Sequence, residues 1–330
     1  SGAMQTGWAF VDGHWNYFAS SGAMKTGWVK EQETWYYLDK DGIMLTGRQD
    51  VNGVRYYLNA SGAMQTGWKW QDNSWYFYTN SGAMKTGWLK DKESWYYLDP
   101  ETGIMAAGSK EIDGKNYFFS SAGTMQVGWQ WSNDSWHYYA TSGALQTGWL
   151  KDGDAWYYLE GKEGVMLVGL HQVDGKQYYF SKSGSMQTGW KWFDNHYRYF
   201  ESNGAMKTGW IKDKGVWYYL NPEDGIMLVG LHKVNGDHYY FDESGAMQTG
   251  WKQLDGNWYY FQADGSLLKN ATTPDGYKVN EEGIWKQAVA AVNSEAVKPE
   301  QKQEANSSIV EQPKQDSNLE ANASEKKENE

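Results

Sequence analysis

The chain contains no cysteine, so disulfide bonds and thiolate chemistry are excluded. This absence is compatible with a secreted bacterial protein that folds without disulfides. No apolar run approaches the roughly 20 residues that a membrane-spanning helix requires, so membrane insertion is not expected. Lysine and arginine (30) are outnumbered by aspartate and glutamate (41), and a net charge of -11 argues against nucleic acid and anionic membrane surfaces as partners.

Glycine and aromatic residues dominate instead, with 38 Gly, 21 Trp and 25 Tyr. A Gly-Ala-Met or Gly-Ile-Met segment leads to Thr-Gly-Trp, and a Trp-Tyr-Tyr segment follows after a few polar residues. The first glycines of these segments are spaced 20 or 21 residues apart, at Gly2, Gly22, Gly42, Gly62, Gly82, Gly103, Gly123, Gly143, Gly164, Gly184, Gly204, Gly225, Gly245 and Gly265. A period of this length predicts an array of stacked supersecondary units.

Every third repeat lacks two tryptophans. The Trp after Thr-Gly is replaced at Arg48, Ser109, Leu170 and Leu231. Seven residues later the Trp of Trp-Tyr-Tyr is replaced as well, at Arg55, Asn116, Gln177 and His238. We call these four repeats depleted and the others rich. Because the two rings disappear together, we infer that they serve one purpose together.

The sequence of each repeat predicts a β-hairpin. In the first, two short β-favouring segments flank Asp12-Gly13, a pair typical of type I′ hairpin turns. A two-residue turn there pairs Val11 with His14, Phe10 with Trp15 and Trp8 with Tyr17. Side chains alternate along strands, so Trp8, Phe10, Trp15 and Tyr17 are expected to share one face. The density of glycine and β-favouring aromatics excludes a long helix.

The repeat pattern predicts three regions. Residues 1–268 form the array, 269–293 a degenerate capping repeat, and 294–330 a disordered polar tail or linker. The chain begins at Ser1 within a repeat, so we expect a mature form or a fragment of an exported protein.

The paired tryptophans indicate a binding site. Trp8 and Trp15 on one hairpin, with Tyr37 of the next, would form an uncharged aromatic box at the junction. Such a box attracts a quaternary ammonium ion, because each ring face is electron-rich and the ion is weakly hydrated. Met24 at the junction would supply a polarisable fourth wall. The alternative is that the rings are only core; we assign that role to Tyr36, whereas the depleted repeats show that the array tolerates loss of the Trp pair.

Thr-Gly-Trp, Trp-Tyr-Tyr and Ser-Gly-Ala-Met at this period resemble the choline-binding repeats of pneumococcal and related streptococcal surface proteins, over roughly residues 1–285. The resemblance implies an all-β solenoid, a left-handed superhelix of stacked β-hairpins. It also implies non-covalent binding of phosphocholine groups of teichoic and lipoteichoic acids between successive hairpins, and a secreted protein at the cell wall or cell surface. The expected ligand is choline or phosphocholine, without a cofactor or a metal; host factors are possible further partners.

The family's box, carried over residue by residue, implies eight sites in this chain. They are Trp8/Trp15/Tyr37, Trp28/Trp35/Tyr57, Trp68/Trp75/Tyr97, Trp88/Trp95/Phe118, Trp129/Trp136/Tyr158, Trp149/Trp156/Tyr179, Trp190/Tyr197/Tyr219 and Trp210/Trp217/Tyr240. Tyr197 replaces a tryptophan, so its site is expected to be weaker. In the third repeat, Arg48 and Arg55 would place cations in the third box, which should therefore reject choline. Trp251 and Trp258 lack a regular following repeat.

No enzyme is predicted. The motifs His-Glu-x-x-His and Gly-x-Ser-x-Gly are absent, and nearly every acid recurs with the repeat, whereas a catalytic pair should be unique. His171 and His232 are repeat equivalents. Two alternatives stay open: a targeting module of a cell-wall hydrolase whose catalytic domain is absent from this chain, and a carbohydrate (glucan)-binding module. Retention on a choline-like resin, with elution by choline but not glucan, would separate the last from choline binding.

Overall fold

The computed structural model describes residues 4–285, and within that range every regular element is a β-strand. The strands are β1 (Gly7–Val11), β2 (His14–Phe18), β3 (Gly27–Glu31), β4 (Thr34–Leu38), β5 (Gly47–Val51), β6 (Val54–Leu58), β7 (Gly67–Gln71), β8 (Ser74–Tyr78), β9 (Gly87–Asp91), β10 (Ser94–Leu98), β11 (Gly108–Ile112), β12 (Lys115–Phe119), β13 (Gly128–Ser132), β14 (Ser135–Tyr139), β15 (Gly148–Asp152), β16 (Ala155–Glu160), β17 (Val165–Met166), β18 (Gly169–Val173), β19 (Lys176–Phe180), β20 (Gly189–Phe193), β21 (His196–Phe200), β22 (Gly209–Asp213), β23 (Val216–Leu220), β24 (Gly230–Val234), β25 (Asp237–Phe241), β26 (Gly250–Leu254), β27 (Asn257–Phe261), β28 (Ala271–Thr272), β29 (Lys278–Val279) and β30 (Ile284–Trp285). The expected all-β array of hairpins is confirmed.

Consecutive strands pair antiparallel around two-residue turns, and we name each hairpin by the residue after its first strand's glycine. In the Trp8 hairpin, Val11 pairs with His14, Phe10 with Trp15 and Trp8 with Tyr17, which confirms the predicted register. The turn residue Asp12 has a φ of 49°. Hairpins without Asn-Gly or Asp-Gly keep the same turn length, with Gln32 at a φ of 54°, so they tolerate a left-handed residue that costs roughly 1–2 kcal/mol.

A methionine and a glycine in the linkers between hairpins contact earlier repeats of the array. The amide of Met44 donates to the carbonyl of Trp15, two hairpins back along the chain, at 2.8 Å, and Met64 bonds Trp35 in the same way. The thioether of Met24 lies over Gly42, where an added Cβ would approach its sulfur to 2.5 Å. Met24 is thus at the junction, as expected, but it covers a glycine there. The recurring Gly is required because the preceding linker's methionine occupies the space of a side chain.

Within each compact unit, buried residues at the ends of second strands form much of the core. Leu38, Leu58 and Leu98 are fully buried, and rings take the same place in other hairpins. Those rings are Tyr78, Phe119, Tyr139, Phe180, Phe200, Phe241 and Phe261. Each buried side chain of this kind stabilises by about 1.5–3 kcal/mol relative to exposure. Rich and depleted hairpins both carry such a buried residue, so the framework does not depend on the Trp pair.

The chain divides into two compact units, Ser1–Leu150 with Leu159–Met166, and Lys151–Tyr158 with Leu167–Glu330. In the first, the hairpins from Trp8 to Trp129 follow one another in sequence. The second contains the hairpins from Leu170 to Trp251 and ends in a five-stranded sheet of order β26-β27-β30-β29-β28. The short strands β28 to β30 belong to the segment that the sequence assigned to a capping repeat, and they extend the sheet of the Trp251 hairpin.

Within residues 4–285 no helix is long and apolar enough to cross a membrane. The tail expected at 294–330, like the end of the capping segment after residue 285, lies outside the described residues. The boundaries of the three regions stay predictions from the sequence.

Candidate functional site: aromatic junctions between hairpins

The two tryptophans of the Trp28, Trp88 and Trp210 hairpins stand on one face and meet edge to face. In the Trp28 hairpin, the ring centroids of Trp28 and Trp35 are 6.3 Å apart at 90°. Trp88 and Trp95 repeat this geometry at 6.2 Å, and Trp210 and Trp217 at 6.1 Å. The second ring stays open to solvent: Trp35 is 40% exposed, and Trp217 41%. A tryptophan that served packing alone would be covered, so these rings offer a free aromatic surface.

In six rich hairpins a third ring from the following hairpin reaches the first tryptophan, and it is the Tyr in the middle position of the Trp-Tyr-Tyr segment or of its depleted equivalent. Trp8 contacts Tyr36 at a centroid distance of 4.8 Å, and Trp28 contacts Tyr56 at 4.7 Å. The other contacts of this kind are Trp68–Tyr96, Trp88–Tyr117, Trp190–Tyr218 and Trp210–Tyr239, at 4.8 to 5.0 Å. Burial and nearby carboxylates raise the pKa of Tyr218 and Tyr239 above the ordinary value, so both rings remain neutral near pH 7.

The third-position rings, which the sequence assigned to the boxes, lie elsewhere. Tyr37 packs on Trp28 of its own hairpin at 5.0 Å, as Tyr97 does on Trp88 and Tyr219 on Trp210. In the depleted hairpins these rings stack forward onto the next hairpin, in the pairs Tyr57–Tyr78, Phe118–Tyr139, Tyr179–Phe200 and Tyr240–Phe261. Alternation along the strand explains both findings, because adjacent tyrosines point to opposite faces and only the middle one points back. The third-ring positions expected from the sequence stay predictions, and middle tyrosines also serve the core, as Tyr218 does at 3% exposure.

The residue two positions after the first tryptophan divides eight of the nine rich hairpins into two classes; the ninth, the Trp251 hairpin, has Gln253 there. In the aromatic class it is Phe10, Trp70, Trp131 or Trp192, and each ring packs on its cross-strand partner, with centroids 4.7 to 5.5 Å apart. These rings are 48 to 62% exposed. In the lysine class the residue is Lys30, Lys90, Lys151 or Lys212. The sequence analysis did not use this difference, although its spacing of 60 or 61 residues is visible there.

A carboxylate stands beside the boxes of the aromatic class. The indole Nε1 of Trp68 donates to Asp91 at 2.9 Å, and that of Trp190 donates to Asp213 at 3.1 Å. In the Trp8 hairpin the Tyr17 hydroxyl donates to Glu31 at 2.6 Å, and this bond raises the pKa of Tyr17. The acid occupies one repeat position, the end of the following hairpin's first strand. The boxes were predicted without a charge inside, and these carboxylates are functional candidates that the prediction missed.

In the Arg48 hairpin the protein supplies its own cation. The Arg48 guanidinium lies 4.2 Å from the centroid of Tyr76, the middle Tyr of the following hairpin. Its Nε donates to Gln71 at 2.9 Å, and it pairs with Asp72 at 3.0 Å. The depleted Leu170 hairpin fills the same junction with rings, since Phe193 stacks on Tyr179 at 4.2 Å and 4°. These junctions have no free ring pair to offer.

The last rich hairpin is closed by the residues that follow it. Trp251 is only 8% exposed and contacts Tyr277 and Trp285. Its Nε1 donates to Asp275 at 2.8 Å. Rings from the C-terminal segment therefore cover the position at which other hairpins present an open pair.

Nothing in residues 4–285 forms a group of three or more His, Asp and Glu side chains suited to a metal ion. His171 and His232 each lie 2.8 Å from the carbonyl three residues earlier, which matches their interpretation as repeat equivalents. All eight predicted boxes stay predictions from the sequence, and two of them, Trp129/Trp136/Tyr158 and Trp149/Trp156/Tyr179, draw on residues of both compact units.

Comparison with known proteins agrees with this architecture. The family model described as "Choline-binding repeat" matches residues 5–48, 45–86, 65–109, 106–145, 126–169, 188–230 and 228–271, and that described as "Putative cell wall binding repeat" matches 169–186. A search of curated sequences found no significant match.

Solved structures from Streptococcus pneumoniae are similar to the chain. Choline binding protein F is 30% identical over 79% of this chain and 98% of its own, with a TM-score of 0.49. CbpJ from strain TIGR4 is 31% identical over 85% of this chain and 100% of its own, with a TM-score of 0.33. The autolysin LytC is 24% identical over 68% of this chain and 52% of its own, with a TM-score of 0.47. With more than half of its length matched by the repeat model, the chain belongs to the choline-binding repeat family of streptococcal cell-wall-binding proteins.

Proposed function

We propose that this protein attaches non-covalently to the bacterial cell wall by binding phosphocholine groups of teichoic and lipoteichoic acids at the junctions after rich hairpins. The observation that carries the proposal is the half-exposed Trp pair with a third ring from the next hairpin, as in Trp28, Trp35 and Tyr56. Three neutral ring faces suit a quaternary ammonium, whose methyl groups need apolar walls and no hydrogen-bond partner.

The proposed boxes use the Trp pairs predicted from the sequence, with the middle Tyr as third ring. Tyr197 serves as the second ring beside Trp190, at a centroid distance of 6.5 Å. Each ring contributes about 0.5–2 kcal/mol, so one box binds choline weakly, at roughly millimolar concentration. A polymer that carries many phosphocholine groups engages several boxes, and linked sites gain about 10²–10⁴-fold without new contacts. Many weak boxes thus support firm attachment that free choline reverses.

We propose that the chain acts as a binding protein and carries out no catalysis itself. Its acids recur with the repeat in turns and linkers, and the carboxylates Glu31, Asp91 and Asp213 at the boxes are bonded to a phenol or an indole. Attachment requires export, so we place the protein at the cell surface.

Isothermal titration of the full chain with choline tests the proposal. We expect several equivalents of bound ligand, and little dependence on salt for free choline. Tetramethylammonium should compete, whereas ethanolamine, which lacks the methyl groups, should not. Binding to isolated walls should likewise fail when ethanolamine replaces choline in the polymer. A single equivalent, or equal competition by ethanolamine, would contradict the proposal.

A further inference from the structure

The two classes of rich hairpin present opposite charges to their boxes. In the lysine class, Lys30 pairs across the hairpin with Trp35, Lys90 with Trp95 and Lys212 with Trp217. Because side chains alternate along a strand, each lysine stands on the same face as the Trp pair. In the aromatic class an uncharged ring holds that position, as Trp70 does opposite Trp75.

In the Trp210 hairpin the lysine ammonium lies over the second ring of the pair. Lys212 Nζ is 5.6 Å from the centroid of Trp217, on the ring that is 41% exposed. In the Trp28 hairpin Lys30 instead forms an ion pair with Glu33 at 2.9 Å. Position 215 is glycine where the Trp28 hairpin has Glu33, so Lys212 lacks that neighbour. Its ammonium therefore stays at the exposed ring, where it can meet an anion.

The following hairpin adds to the contrast. Behind the aromatic-class boxes it places Glu31, Asp91 and Asp213, which bond to Tyr17, Trp68 and Trp190. Behind the lysine-class boxes the same strand position holds Val51, Ile112 and Val234, all buried. A carboxylate attracts an ammonium and repels a phosphate, and a lysine does the reverse.

We propose that the residue two positions after the first tryptophan sets the ligand preference of each box. Lysine-class boxes bind choline as its phosphodiester, with the lysine contacting the phosphate beside the ammonium. Aromatic-class boxes bind the ammonium alone and gain nothing from the phosphate. The inference rests on the proposed function, because it assigns two ligand forms to the same set of sites.

The test compares choline with glycerophosphocholine by calorimetric titration of the full chain at about 0.02 M and 0.5 M salt. One variant replaces the four ring-side lysines, as Lys30→Gln, Lys90→Gln, Lys151→Gln and Lys212→Gln. The control removes the same charge from other positions, as Lys25→Gln, Lys85→Gln, Lys207→Gln and Lys233→Gln. Lys233 is the informative member, since it holds the equivalent position in a depleted hairpin opposite His238.

We expect the wild type and the control to bind glycerophosphocholine in two phases at low salt. In the ring-side variant the tighter phase should weaken by about two- to five-fold, as for an exposed ion pair, while choline binding stays equal or tightens slightly. At high salt the difference between the variants should shrink.

A second variant works in the opposite direction. Asp91→Asn with Asp213→Asn removes carboxylates from two aromatic-class boxes, and it should weaken choline and strengthen glycerophosphocholine at those boxes. Equal losses in the ring-side and control variants, or an unchanged ratio of the two ligands in all variants, would overturn the inference. Absence of binding by either ligand would overturn the proposed function itself, and this inference with it.

Discussion

The Trp28 hairpin and the Arg48 hairpin are neighbours in one compact unit. They share the same strand pairing, but they place different side chains at the junction with the next hairpin. Both close with a fully buried leucine, Leu38 or Leu58, and both pair over five residues per strand. The first presents two rings at 6.3 Å with Trp35 exposed. The second places the Arg48 guanidinium 4.2 Å over Tyr76 and holds it with Gln71 and Asp72.

This difference distinguishes the residues that form the hairpin array from those that form the proposed binding boxes. A fully buried leucine and a methionine-glycine contact recur with both hairpins, so they carry the fold. The Trp pair is present in one and absent in the other, so it is not required for folding. Arg48 occupies a ring face with a tethered cation, which is the kind of group that we expect the open boxes to take from solution.

The largest expected effect comes from removing the second ring of every proposed box. The variant carries Ala at Trp15, Trp35, Trp75, Trp95, Trp136, Trp156, Tyr197 and Trp217. Because many weak sites act together, retention on a choline matrix should disappear. Trp35→Ala alone should leave retention nearly unchanged.

Six of these eight rings are more than a third exposed, so the fold should survive their truncation, and circular dichroism provides the control. A folded variant that stays bound and resists elution by free choline would show that attachment lies outside the ring pairs.

Substitution of a linker glycine should destabilise the protein equally after a rich hairpin and after a depleted one. Gly42→Ala and Gly62→Ala each place a Cβ against a methionine at a φ of 73° or 79°. The left-handed backbone costs an alanine roughly 1–2 kcal/mol, and overpacking adds about 1–3 kcal/mol. Gly47→Ala is the matched control, since its φ is 76° and nothing lies within 4 Å of the added carbon. Thermal unfolding should show two similar large shifts and one smaller one; equal shifts at all three positions would exclude the methionine contact as a cause.

Converting a depleted hairpin to a rich one should add a site. Arg48→Trp with Arg55→Trp removes the tethered cation and restores both rings beside Tyr76, so calorimetry should count one more choline equivalent than in the wild type. Arg48→Gln with Arg55→Gln is the control that removes the charge without adding rings. An unchanged count in the Trp variant, or a gain in the Gln variant, would show that the boxes are not built from the Trp pair.

The smallest expected effect concerns the linker between the rich Trp88 hairpin and the depleted Ser109 hairpin. Bonds from Thr102 and Lys110 lower the pKa of Asp99 to about 2 from 3.8. A carboxyl whose pKa is lowered by folding stabilises the protein above its unfolded pKa, and that stability is lost as the pH falls through the folded value. Asp99→Asn should therefore lower the melting temperature slightly at pH 7 and by less at pH 2. Choline binding at pH 7 should not change.

The repeat frame could be derived from the sequence because local rules determine it. Asp12-Gly13 sets the turn and with it the pairing of Trp8 with Tyr17, as observed. The third ring could not be derived in the same way. Alternation was applied within one hairpin but not across the junction, where it directs Tyr36 rather than Tyr37 towards Trp8.

Other features depend on contacts between repeats. The role of Gly42 becomes clear only when Met24 is seen over it, and Asp91 gains meaning only from its bond to Trp68, 23 residues earlier. Both are recurring positions in the sequence, but periodicity alone does not show which repeat positions meet.

A crystal structure of the full chain with choline would test the central claim most directly. The account predicts a quaternary nitrogen within about 6 Å of the ring centroids of Trp28, Trp35 and Tyr56, and equivalent density at the other rich junctions. It predicts none between Arg48 and Tyr76. Choline bound equally at rich and depleted junctions, or bound away from the tryptophan pairs, would contradict it.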